Sequence, residues 1–279
     1  MKQCNTRTWA AVRNDNRPFF RAAACVLTFS LMLLHQPIQA SLLETSADSS
    51  QWQLFKAYKA RPGQDKLASP THTEYENFRV AVLDYFNEEY QSAYKLFRPL
   101  AEKGNSSAEY YMALMFDEGR GVKQDASAAV GWYTLAAQQG HMDAQYNLGV
   151  AYASGMGVSS DMGQAIAWWK RAAQLGSVDA QFNLGLVYYI GQGNIKVDLN
   201  NALSWWQKAA GHGDAVAQYQ LGMMYATGKG TQQDLCAAGQ LWRYAARQGH
   251  DEAIMAYLEL NSETSVLSSC RDLRADARN

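Results

Sequence analysis

The sequence is poor in proline, in cysteine and in charge. Five prolines in 279 residues leave few obligatory breaks in backbone hydrogen bonding. Four cysteines without a Cys-x-x-Cys pair give no zinc framework. The 25 basic and 26 acidic side chains nearly cancel, for a net charge of −1, whereas a nucleic-acid binder needs a basic face. No apolar run reaches the ~20 residues that cross a bilayer. No stretch alternates apolar and polar residues at period two, which predicts no sheet. At 48% hydrophobic and 18% charged residues, the chain is too apolar for disorder. What it has instead is glycine (21), tyrosine (16) and tryptophan (8).

The N-terminus has the parts of a secretory leader. Lys2, Arg7, Arg13, Arg17 and Arg21 stand against one acid, Asp15. The 13 residues Ala22 to Leu34 are apolar, and His35-Gln-Pro-Ile-Gln-Ala40 follows. Cleavage is expected after Ala40, with an uncleaved anchor as the other reading. Cys25 precedes most of the apolar run rather than following it, which argues against a lipoprotein acceptor. Loss of residues 1–40 removes five positive charges and one negative, leaving 20 basic and 25 acidic side chains, net −5. The expected location is periplasmic or secreted, with no membrane span after cleavage and no pull towards acidic lipid. Cys236 and Cys270 then remain. In an oxidising compartment they are either a disulfide or two free thiols.

Four segments align with one another: 108–143, 144–179, 180–216 and 217–252. Three are 36 residues long and the third is 37. They open Ala144-Gln-Tyr-Asn-Leu-Gly-Val-Ala-Tyr152, Ala180-Gln-Phe-Asn-Leu-Gly-Leu-Val-Tyr188 and Ala217-Gln-Tyr-Gln-Leu-Gly-Met-Met-Tyr225. A Gly-x-Gly follows in each (Gly119/Gly121, Gly155/Gly157, Gly191/Gly193, Gly228/Gly230), and then an aspartate (Asp125, Asp161, Asp198, Asp234). Next come an alanine (Ala129, Ala165, Ala202, Ala238) and paired residues (Trp132-Tyr133, Trp168-Trp169, Trp205-Trp206, Leu241-Trp242). Gly140, Gly176, Gly213 and Gly249 close the units.

The spacing of each second half, i, i+3, i+4 and i+7, is one face of an α-helix. The opening stretch has apolar residues at i, i+4 and i+8, again one helical stripe. Each unit therefore predicts two helices, the first ended by glycine and the second capped by aspartate. Gly149, Gly185 and Gly222 lie inside first helices, where each costs roughly 1 kcal/mol relative to alanine. Close crossing against the alanines of the second helix is the expected reason. A buried tryptophan hides roughly 150–250 Å², about 4–6 kcal/mol gross at ~25 cal/mol per Å². No single hairpin encloses such rings, so neighbours must stack. Residues 73–107 read as a degenerate opening hairpin, 253–279 as a closing helix with a polar tail, and 41–72 as a partly ordered linker with a short helix at 51–60.

These residues resemble the Sel-one-like repeat, a relative of the tetratricopeptide repeat. The resemblance covers 108–252 closely and 74–107 loosely. Departures are Ala113 for the helix glycine, Asn194 and Thr231 for the loop valine, and Leu241 for the first aromatic. The family implies an all-α, right-handed superhelical solenoid of antiparallel helix pairs with a concave groove. It implies an adaptor more often than a catalyst. Its exported bacterial members include envelope-assembly and motility factors, and some that bind penicillin.

The expected partner is a protein. Residues two and six places after each opening alanine are expected to line the concave face: Tyr110 and Leu114, Tyr146 and Val150, Phe182 and Leu186, Tyr219 and Met223, with Tyr189 beside the third. Asn147 and Asn183, one place further round, are placed to bond a partner's backbone. The alternative for each is packing against the adjacent repeat.

No catalytic residue, cofactor or metal site is predicted. The Gly-x-Gly loops lack both a third glycine and a Gly-Lys-Ser/Thr ending. Ser92-Ala-Tyr-Lys95 matches the acylation motif Ser-x-x-Lys, but Lys229-Gly-Thr231 is not Lys-Thr-Gly and no Ser-Asp-Asn occurs. The histidines lie outside ligand spacing of one another, and His141, His212 and His250 are expected to be solvated linker residues. The competing functions are a penicillin-binding or cell-wall hydrolase and a secreted factor acting on a host protein.

Overall fold

Residues 71–262 are described by a computed structural model. The described residues from Glu74 onward belong to one compact unit. The expected leader with its cleavage point, the helix at 51–60 and Cys270 all lie outside the described residues.

Among the described residues there are α-helices and no strand. They are α1 (His72–Phe86), α2 (Tyr90–Glu102), α3 (Ser106–Glu118), α4 (Ala126–Gln138), α5 (Met142–Ser154), α6 (Met162–Gln174), α7 (Val178–Ile190), α8 (Leu199–Gly211), α9 (Ala215–Thr227), α10 (Leu235–Arg247) and α11 (Asp251–Ser262). From α2 onward each helix packs on the next, giving a solenoid of antiparallel pairs.

The boundaries follow from local chemistry. Asp125, Asp161, Asp198 and Asp234 accept the N–H of the third residue beyond them, at 2.9–3.0 Å. Such a cap is worth about 1 kcal/mol. Each first helix from α3 to α9 ends on a left-handed glycine, with φ of 69° to 76°. The second loop glycine has a separate task. A Cβ on Gly121 would stand 2.7 Å from the Tyr90 carbonyl oxygen, and one on Gly230 would stand 2.6 Å from Leu199 Cβ. Tyr90 and Leu199 open α2 and α8, the second helices of the preceding units. The loop backbone thus rests on its neighbour.

The helix glycines differ from the expectation. What a Cβ on Gly149 would meet is the Trp169 indole, 2.5 Å from both Cδ1 and Nε1. Gly185 stands in the same way against Trp206, and Gly222 against Trp242. Indoles, not alanines, need the space. Each indole N–H donates to a first-helix carbonyl: Trp169 to Tyr146, Trp206 to Phe182 and Trp242 to Tyr219, all at 3.2 Å. A ring can reach that oxygen only where the residue one turn on lacks a side chain. The first repeat bears this out. It has Ala113 in place of the glycine and Tyr133 in place of the tryptophan, and the Tyr133 hydroxyl donates to Asp117 Oδ2 at 3.3 Å.

The opening hairpin α1–α2 substitutes stacked rings for this device. Phe97 is fully buried and stacks on Tyr111 with centroids 4.7 Å apart, while Phe78 meets both edge-on. Arg120 donates to the Tyr85 hydroxyl at 3.0 Å and pairs with Glu118 at 2.8 Å, tying α1 to the end of α3.

Candidate interaction surface

The first helices α3, α5, α7 and α9 each carry, as their third residue, the opening alanine of the repeat, fully buried (Ala108, Ala144, Ala180 and Ala217). One turn and a half later each carries a half-buried apolar residue: Leu114, Val150, Leu186 and Met223. These four form a row, one step per repeat.

The residues two places after the opening alanines are more deeply engaged. Tyr110 stacks on the His141 ring at 4.5 Å, and Tyr219 stacks on His250 at 4.9 Å. Phe182 stacks on Trp206 at 6.3 Å. Tyr110 and Leu114 pack on the apolar cluster of Tyr133 and Leu148; Phe182, Leu186 and Tyr189 pack on that of Trp206 and Leu221; Tyr219 and Met223 pack on that of Trp242. Tyr146 is 7% exposed and Asn183 is 1% exposed, so neither stands on the surface. Tyr189 is roofed by Lys229, which lies 4.1 Å above the ring and donates to its hydroxyl at 2.9 Å.

The two asparagines differ because their neighbours differ. Asn147 has the Tyr133 hydroxyl as a polar neighbour. The corresponding aromatic before Asn183 is Trp169, which has no hydroxyl and gives its N–H to Tyr146. Both amide atoms of Asn183 are accordingly buried without a partner.

The sequence pattern described as Sel1 repeat matches residues 106–141, 143–177, 178–214 and 215–250. The chain belongs to the Sel1 repeat family. Among solved structures it is similar to a Sel1 repeat protein from Oxalobacter formigenes, at 33% identity and a TM-score of 0.60, covering 64% of this chain and 73% of that one. It is also similar to c5321, a protective antigen present in uropathogenic Escherichia coli strains that displays an SLR fold. There the identity is 32% and the TM-score 0.64, over 66% of this chain but only 40% of that one. No curated protein matches the sequence.

Two sets of positions in these Sel1 repeats escape a reading of the sequence by spacing. His141 and His250 are not solvated linkers. Each caps a first helix, accepting at Nδ1 the N–H of Ala144 or Ala253 at 3.3 Å. Asn105, Ser177 and Asp214 cap the equivalent ends. His212 is exposed and follows α8.

The second set is the residue after each opening alanine. Gln145, Gln181 and Gln218 are buried, and their Nε2 groups donate to Ala137, Ala173 and Ala210 carbonyls at 3.0–3.3 Å. They clasp each repeat to the one before. In the first repeat this residue is Glu109, 3% exposed, which accepts from Gln139 Nε2 at 2.7 Å. Burial raises its carboxyl to about 7, opposed by that hydrogen bond. The signal was the alignment itself, one acid in a column of glutamines.

The chemistry-bearing residues stay apart. Ser92 donates a hydroxyl hydrogen bond to Asp84 Oδ2 at 2.5 Å, and Lys95 is exposed to solvent. No group of three His, Cys, Asp or Glu placed to hold a metal ion occurs among the described residues. No described helix is long and apolar enough to cross a membrane. Cys236, in the first turn of α10, is disulfide-bonded.

Proposed function

We propose that this Sel1 repeat protein is a non-enzymatic, exported scaffold or adaptor of the cell envelope. It grips a segment of a partner protein along the face made by its first helices. The observation that carries this is the row Leu114, Val150, Leu186 and Met223, half-buried and repeated at each step. A periodic apolar row suits an extended or helical segment that presents apolar side chains along its length. The exposed parts of Phe182, Tyr219 and Asn147 flank it. Export is supported by the basic and apolar N-terminus and by the disulfide at Cys236, a bond that persists in oxidising compartments. The likeness to an Escherichia coli protective antigen fits a place outside the cytoplasm.

Site-specific photocrosslinking tests the reading. A photoreactive residue at Leu186 or Met223 is expected to capture one discrete protein from envelope extract. The same residue at Leu135, exposed on the second helix α4, is expected to capture none. Equal yields from all three positions would remove the binding face.

A further inference from the structure

The last helix is half of a repeat. His250 caps α11 through Ala253 as His141 caps α5 through Ala144, and Ala253 is fully buried like the other opening alanines. In that register Leu258 stands where Gly149, Gly185 and Gly222 stand, the position that a second helix covers in those repeats. Met255 stands where Tyr146, Phe182 and Tyr219 stand, the position that the following repeat covers. No described helix supplies either cover, and Met255 is 67% and Leu258 55% exposed.

The 17 residues after Ser262 contain no aromatic side chain. A segment without an indole suits a helix that carries leucine where glycine would admit one. Among its apolar residues, Leu267, Cys270 and Leu273 recur every third place, a spacing that suits one face of a helix. Antiparallel packing brings the end of α11 beside the start of α10, and Leu260 and Leu235 share one apolar cluster. Cys236 follows Leu235 and is disulfide-bonded. Seven residues separate Ser262 from Cys270, a reach of up to roughly 26 Å. The other two cysteines, Cys4 and Cys25, belong to the stretch read as a leader.

We propose that residues 263–279 are the missing cover. A Cys236–Cys270 disulfide pins this tail to α10, and Leu267 and Leu273 close over Leu258 and Met255. The tail completes the last repeat and seals the end of the stack, independently of what the first-helix face binds.

The test uses the exported chain purified without reductant. Peptide mapping under non-reducing conditions is expected to yield a Cys236–Cys270 cross-link. Dithiothreitol supplies two electrons and leaves as its own cyclic disulfide, returning both thiols. Hydrogen exchange across α11 and 263–279 is then expected to rise at least about tenfold, with α5 to α8 unchanged. Leu258→Glu, at an exposed position, is expected to raise exchange in 263–279 with the disulfide intact. A cross-link to Cys4 or Cys25, two free thiols, or exchange indifferent to reduction or to Leu258→Glu would each overturn the proposal. So would an oxidised dimer that Leu258→Glu dissolves, because a second copy would then be the occupant.

Discussion

Gly149 leaves the space that Trp169 fills. A Cβ there would lie 2.5 Å from the indole Nε1, whose N–H donates to the Tyr146 carbonyl one turn earlier on the same helix. The two residues belong to the two helices of one repeat and are joined by a single insertion. Repetition of the pair at Gly185–Trp206 and Gly222–Trp242 gives three hairpins the same crossing. Equal crossings are what allow the units to stack in register.

Removing only the indole donor should register directly. Trp206→Phe keeps an aromatic ring but withdraws the N–H from the Phe182 carbonyl and leaves a small void. Together these are expected to cost about 1–3 kcal/mol. Urea unfolding followed by circular dichroism measures it. A loss below the error of the fit would mean that the bond at 3.2 Å adds nothing.

Glu109 makes stability depend on pH in a sense opposite to that of a salt-bridged acid. Burial raises its folded carboxyl to about 7 from an ordinary value of 4.5. The folded state therefore holds the proton more tightly than the unfolded one. Its contribution is fully present below about pH 4.5 and is lost as pH rises through about 7. Glu109→Gln restores the residue found in the other repeats. It is expected to raise the melting temperature at pH 8 and leave it nearly unchanged at pH 4.5. Equal shifts at both values would show that the carboxyl titrates normally.

Asn183 buries an amide with no partner. Asn183→Leu keeps the volume and removes the unmet polar groups, with an expected gain of about 1 kcal/mol. Chemical denaturation of wild type and variant gives the number. A clear loss of stability would mean that the amide has a bond, through water for instance, that the substitution breaks.

What the sequence made legible is what local chemistry decides. Asp125 or Gly119 acts within its own turn, so caps and helix ends could be assigned from spacing. The helix glycines stand out in the sequence, but the side chain they make room for does not. Gly149 and Trp169 are 20 residues apart, and spacing does not tell which side chain of the second helix crosses at the glycine. Ala113 with Tyr133 was the available clue, because two departures in one repeat compensate each other. The surface was less legible. Periodicity places Tyr146 and Tyr219 on the same side of their helices. How far the next repeat covers each depends on packing, and Tyr146 ends up buried where Tyr219 stays half-exposed. His141 and His250 looked like linkers because histidine is an uncommon cap.

The reciprocity of glycine and indole is best measured by a double-mutant cycle on Gly149→Ala and Trp169→Tyr. Alanine gains roughly 1 kcal/mol of helix propensity, yet crowding of the indole is expected to make Gly149→Ala a net loss of about 1–3 kcal/mol. Trp169→Tyr alone is expected to lose a similar amount. Together they recreate the Ala113–Tyr133 pair of the first repeat. The account predicts that the double variant is more stable than the sum of the two losses by at least about 1 kcal/mol. Losses that simply add, within about 0.3 kcal/mol, would contradict it.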